Sequence, residues 1–149
     1  MALIGIWTLA LGLMTAGAAE FTAHSPLPDS YRMHGLVSSD GFLYNLGGLS
    51  GSTGISGARK VFYARVESDG SGAAWNPGPD LPAIVFAHAA VAANKTLYVL
   101  GGQHFTPGAG VGPSDAVYFT RTNADGSPGE WTATTPLPRA AFFLNAAFW

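Results

Sequence analysis

His34 and His88 stand 54 residues apart and carry the side chains best suited to ligate a metal or move a proton. Neutral imidazole is a common ligand for transition metals, but a closed site needs further donors that two histidines do not supply. A second group is Tyr31 with Gln103, His104 and Phe105, a mixture of rings and polar groups of the kind that holds a sugar. Asp29, Asp80 and Asp115 flank loops, and no local spacing pairs two of them for acid and base work. The run Asn123-Ala124-Asp125-Gly126-Ser127 resembles part of a calcium loop without its further carboxylates. Gly108 to Gly112 (GAGVG) lacks the following Lys-Ser/Thr of a phosphate cradle, and no Gly-x-Ser-x-Gly elbow occurs. Asn94-Lys95-Thr96 is a glycosylation sequon, meaningful only in a glycosylating secretory pathway.

The chain that must position these groups has 149 residues, of which 48% are apolar, with seven Lys or Arg against nine Asp or Glu. Such apolar content excludes a disordered chain. A net charge of −2 gives no basic footprint for nucleic acid. The absence of cysteine excludes disulfides and thiolate metal sites. Twenty Gly and ten Pro point to a turn-rich all-β protein.

Residues 1–19 contain no charged side chain, and Ala16 and Ala18 stand in the A-x-A relation that a signal peptidase reads. The segment is expected to be a cleaved signal peptide, the alternative being an uncleaved anchor. The remainder, 20–149, is then secreted, periplasmic or at the cell surface, with no membrane contact after cleavage.

That remainder repeats itself. Leu27 to Gly48 laid on Leu81 to Gly102 gives nine identities in 22 positions at an offset of 54, including His34/His88, Tyr44/Tyr98 and the closing Gly-Gly pair. From Val61 the offset becomes 56, and Val61 to Pro82 matches Val117 to Pro138 at eight of 22 positions, among them Arg65/Arg121, Asp69-Gly70-Ser71/Asp125-Gly126-Ser127 and Trp75/Trp131. The repeats are 27–80, 81–136 and the opening of a third, 137–149. Because both His34 and His88 fall at one repeat position, held in the third by Leu144, they read as packing residues, with no metal or cofactor expected.

Each repeat reads as four short strands. The first (near Met33 to Ser38 and Ala87 to Ala92) turns at Asp40-Gly41 or Asn94-Lys95 into a second, FLYNL or TLYVL, that ends in the Gly pair. After a long loop, a third strand returns through Asp69-Gly70 or Asp125-Gly126 into the Trp strand. Four strands in a period near 55 residues is the signature of a β-propeller blade. A leading outer strand, Phe21 to Ser25, and a trailing inner strand, Ala140 to Trp149, flank the two full units. Since about four to eight blades close a ring, the expectation is an N-terminal fragment whose bare blade faces self-associate.

The Gly pair, the Tyr two residues before the end of its strand, and the Trp 27 to 29 residues later resemble kelch repeats over Phe21 to Trp149. The resemblance implies a kelch-type β-propeller, an architecture shared by galactose oxidase and the sialic acid mutarotases. A shared fold does not carry function across, and the copper site of galactose oxidase needs a Cys crosslinked to Tyr, where this chain has no Cys. In an up-and-down blade the Leu-Pro loops and the long loops (Leu49 to Lys60, Gln103 to Ala116) share one end. Loops on a rigid scaffold are where binding usually sits. The expected function is therefore a scaffold for a protein or carbohydrate ligand, contacted by Tyr31, Arg32, Gln103, His104 and Arg139. The alternative is a sugar-acting enzyme, oxidase-like or mutarotase/epimerase-like, whose site is completed by further blades; a surface adhesin is a third reading.

Overall fold

The computed structural model describes residues 25–148, so the expected signal segment, most of the leading strand and Trp149 lie outside the described residues. In chain order these residues form β1 (Tyr31–Arg32), β2 (Gly35–Ser39), β3 (Phe42–Leu46), β4 (Leu49–Ser50), a 3-10 turn (Ile55–Arg59), β5 (Val61–Arg65), β6 (Asn76–Pro77) and β7 (Val85–Phe86). There follow β8 (Ala89–Ala93), β9 (Thr96–Leu100), β10 (Gln103–Thr106), β11 (Gly110–Pro113), β12 (Val117–Arg121) and β13 (Thr132–Thr134). The protein is all-β. Two four-stranded antiparallel sheets carry the two repeats, in the orders β2-β3-β5-β6 and β8-β9-β12-β13.

The registers of the two sheets correspond position by position. Val37 faces Tyr44 and Tyr44 faces Tyr63 in the first; Val91 faces Tyr98 and Tyr98 faces Phe119 in the second. Both residues of each β2–β3 type hairpin turn have positive φ (Asp40 49°, Gly41 79°; Asn94 49°, Lys95 59°), the geometry that matches strand twist. The sheets bury their facing sides on each other. Tyr44, Leu46 and Val61 from one meet Leu97, Val99 and Trp131 from the other, with Leu81 and Val85 from the connection between them.

Two polar links cross this apolar contact. The buried Tyr44 hydroxyl donates to the Gly126 carbonyl at 2.9 Å, and burial pushes its pKa up to about 12, so it remains a donor. Tyr44→Phe would leave that carbonyl unpaired beside Phe42 and is expected to cost about 1–3 kcal/mol in urea unfolding; an unchanged midpoint would contradict this contact. The second link is the Trp131 indole, which donates to the Pro79 carbonyl at 3.2 Å. Trp75 does the same to Ser25, its equivalent one repeat earlier, at 3.2 Å, but is only half-buried and so packs less than its position in the repeat suggested.

Three expectations need correction. The first strands begin at Gly35 and Ala89, two residues later than expected, because Met33 and Ala87 take positive φ and break the extended chain. The long loops are partly paired backbone: β4 lies against β1, and β10 lies between β7 and β11. Residues 140–148 form no strand, since a ladder requires a partner and none of the described residues offers one along their length.

Candidate functional site

The register fixes which groups share an end. Ser39 lies opposite Phe42 beside the turn, and Phe42 opposite Arg65, so both tight turns of a sheet lie at one end. Gly35, Leu46 and Val61 mark the other end, where β1, β4, the 3-10 turn, β7, β10 and β11 all gather.

At that end one backbone pattern recurs in all three repeats. Met33, Ala87 and Phe143 have φ of 56°, 53° and 53°, a left-handed conformation that costs a residue with a side chain about 1–2 kcal/mol. Backbone hydrogen bonds hold it in place: Ala87 N–H donates to Met33 O at 2.8 Å, and Phe143 N–H to Ala87 O at 2.8 Å. Gly48 N–H donates to Val85 O at 3.0 Å, and Gly102 N–H to Ala141 O at 2.7 Å, one repeat apart. The next residues, His34, His88 and Leu144, therefore leave the backbone from equivalent places.

His88 is 7% exposed, and neither ring nitrogen reaches a hydrogen-bond partner. Its ring lies across the gap to the first sheet, where a Cβ on Gly35 would stand 2.7 Å from Nε2. Small size at position 35 thus admits the imidazole. His34 is half-buried with Nδ1 unpartnered, and its ring meets Tyr31 edge-on at 6.5 Å. A cavity of about 280 Å³ is lined by both histidines with Gly35, Ala89, Leu144 and Asn145. A neighbouring one of about 250 Å³ touches both histidines and Asn145 from the side of Met33 and Phe143.

Burial lowers the pKa of His88 to about 4, helped by the nearby His34 and His104; the Leu46 carbonyl opposes this without reaching hydrogen-bond geometry. Burial also lowers His34 and His104. Between the ordinary histidine value of 6.5 and about 4, the folded protein binds fewer protons than the unfolded chain. Stability is then fully present above that window and falls as pH drops through it, with a slope approaching about 1.4 kcal/mol per pH unit for His88. Urea unfolding at stepped pH is expected to show this slope, and His88→Leu to flatten it; an unchanged slope in the variant would refute the assignment.

The expected ligand contacts separate into groups. Tyr31 packs on Phe62 at 5.9 Å, and its phenol is raised by burial and then by Asp29 and Asp80. Arg32 is exposed beside it. Gln103 lies opposite Phe86 and Pro113 in the other small sheet. The His104 ring stacks on Tyr118 at 6.0 Å and 12°, with Nε2 buried and unpartnered. Opposite it Gly112 adds no side chain, and a cavity of about 220 Å³ opens over Thr106, Gly110 and Gly112. Arg139 is exposed, and among the described residues no hydrogen bond, ion pair or ring contact joins it, or the Tyr31–Arg32 pair, to Gln103 and His104. Asp29 accepts from the Ser50 and Ser52 hydroxyls, which hold its carboxyl well below the usual range.

No local motif marks Asn145, and the shared repeat position of His34 and His88 points to packing when the sequence is read alone. The readable signal was Gly35: it stands where the second repeat has Ala89, and a side chain there would meet His88.

Neither a protein-family model nor a curated protein matches the chain. Its fold is similar to that in the solved structure of YjhT, with a TM-score of 0.64 and 15% identity over 87% of this chain. The chain spans 39% of the length of YjhT. At that identity the likeness is one of fold alone.

Proposed function

We propose that the chain supplies two blades of an exported kelch-type β-propeller that acts as a binding scaffold, with the loop end as its contact surface. Two repeating sheets packed face to face, joined by the Gly pair and the Trp link, support the kelch reading. Two blades are fewer than the four to eight that close a ring, so further units complete it, whether from the same polypeptide or from other copies. Tyr98 supports this: it is partly exposed where its equivalent, Tyr44, is fully covered by the next sheet. Export follows from the apolar opening segment.

One observation carries the choice of surface. Every small sheet, the 3-10 turn and all three cavities described above belong to one end, while the other end has tight turns. Rings at this end (Tyr31 with Phe62, His104 with Tyr118) are of the kind on which a sugar face can stack, so carbohydrate is the ligand class to test. The test is a glycan array probed with the full chain. His104→Ala, at the cavity over Thr106, Gly110 and Gly112, is expected to weaken the retained signals at least tenfold, and Tyr31→Ala to weaken any that its separate surface holds, while Ser38→Ala near the tight turns leaves them unchanged. Loss in Ser38→Ala with retention in the other two would place binding at the wrong end.

A further inference from the structure

We propose that His34 and His88 form a two-imidazole site for a borderline divalent transition-metal ion such as Ni²⁺, Cu²⁺ or Zn²⁺. The backbone sets the pair up. The residues just before them are joined by the Ala87–Met33 hydrogen bond at 2.8 Å and share the same left-handed turn, so the two histidines leave the backbone from equivalent places just ahead of the first strand of each sheet. That backbone bond brings the two segments together where the two sheets meet, and both rings line the same two cavities, a placement that lets two imidazoles approach one ion.

The surroundings select the ligand class. Both histidines line both cavities, as does Asn145, and the combined space accommodates an ion with its waters. His88 is buried with both nitrogens free of partners, and His34 Nδ1 is also unpartnered. The walls are Gly35, Ala89, Ala90 and Leu144, with no carboxylate to stabilise imidazolium. Neutral imidazoles without carboxylates suit Ni²⁺, Cu²⁺ and Zn²⁺ and disfavour Ca²⁺ and Mg²⁺. Packing alone does not call for histidine here, since Leu144 fills the equivalent position of the third repeat. Among the described residues no third His, Cys, Asp or Glu joins the pair. Water and the Asn145 side chain would complete the coordination, so the site stays open to an exogenous ligand.

This inference is independent of the carbohydrate reading. The test is calorimetric titration of the full chain with NiCl₂ alone at pH 7.5, where the imidazoles are already neutral and little proton release accompanies binding. One ion per chain is expected. His34→Gln and His88→Leu are each expected to weaken it at least tenfold, and Glu67→Gln, exposed near the tight turns, to leave it unchanged. His88→Leu places at this position the residue that the third repeat already has; should it fail to fold, the half-buried His34→Gln carries the test. Absence of binding, equal binding in the parent and His34→Gln, or loss in Glu67→Gln alone would overturn the proposal.

Discussion

Gly102→Val is expected to remove a large share of the folding stability of this protein. Gly102 has φ of 91°, and a Cβ there would stand 2.7 Å from the His88 Cβ and 2.8 Å from the Phe86 carbonyl oxygen. Its N–H is meanwhile held by Ala141 O at 2.7 Å, so the segment cannot swing aside without losing the bond between repeats. Backbone strain costs about 1–3 kcal/mol and overpacking about 1–3 kcal/mol more. Together, at about 2–6 kcal/mol, they amount to a large share of the stability of a small domain, about 5–15 kcal/mol. Gly108→Val is the matched control, because Gly108 has φ of 82° but nothing within 4 Å of a new Cβ. Thermal melts followed by circular dichroism should show a far lower midpoint for Gly102→Val than for Gly108→Val. Equal midpoints would mean that the close approach to His88 is not real. Gly48→Val should behave like Gly102→Val, since its Cβ would meet His34 Cβ at 2.5 Å.

Trp131→Ala is expected to cost about 3–5 kcal/mol, the range for removing a large aromatic side chain from a core. The ring is 9% exposed in the cluster that joins the two sheets, and its indole N–H satisfies the Pro79 carbonyl. Trp75→Ala removes the same side chain at the same repeat position, but from a half-buried site. Its cost should be clearly smaller. Urea titrations of the two variants decide the point, and a cost for Trp75→Ala equal to that for Trp131→Ala would refute the burial difference on which the sheet-to-sheet packing rests.

Much of this fold was legible because the chain states it twice. Asp40-Gly41 and Asp69-Gly70 read as turns from composition, and the Gly pairs as positions needing positive φ, which Gly47, Gly48, Gly101 and Gly102 all have. What escaped had no local signal. Met33, Ala87 and Phe143 share a left-handed backbone that none of these residue types prefers; hydrogen bonds to the neighbouring repeat impose it. The two-residue pairings of β1 with β4 and of β7 with β10 are too short to show a period. In the candidate site, the repeat placed Tyr31, Arg32, Gln103 and His104 at the loop end. It did not reveal that His88 would be buried without a partner, because that depends on what Gly35 and Leu144 leave around it.

In the reading proposed above, these two sheets are units of a closed ring. The most direct test is the native mass of the particle carrying this sequence in the exported fraction of its source, measured by native mass spectrometry. A particle holding at least four units, about 25 kDa or more, is expected, either as one longer polypeptide or as an assembly of copies. A folded, monodisperse single copy with two sheets and no further units would contradict it.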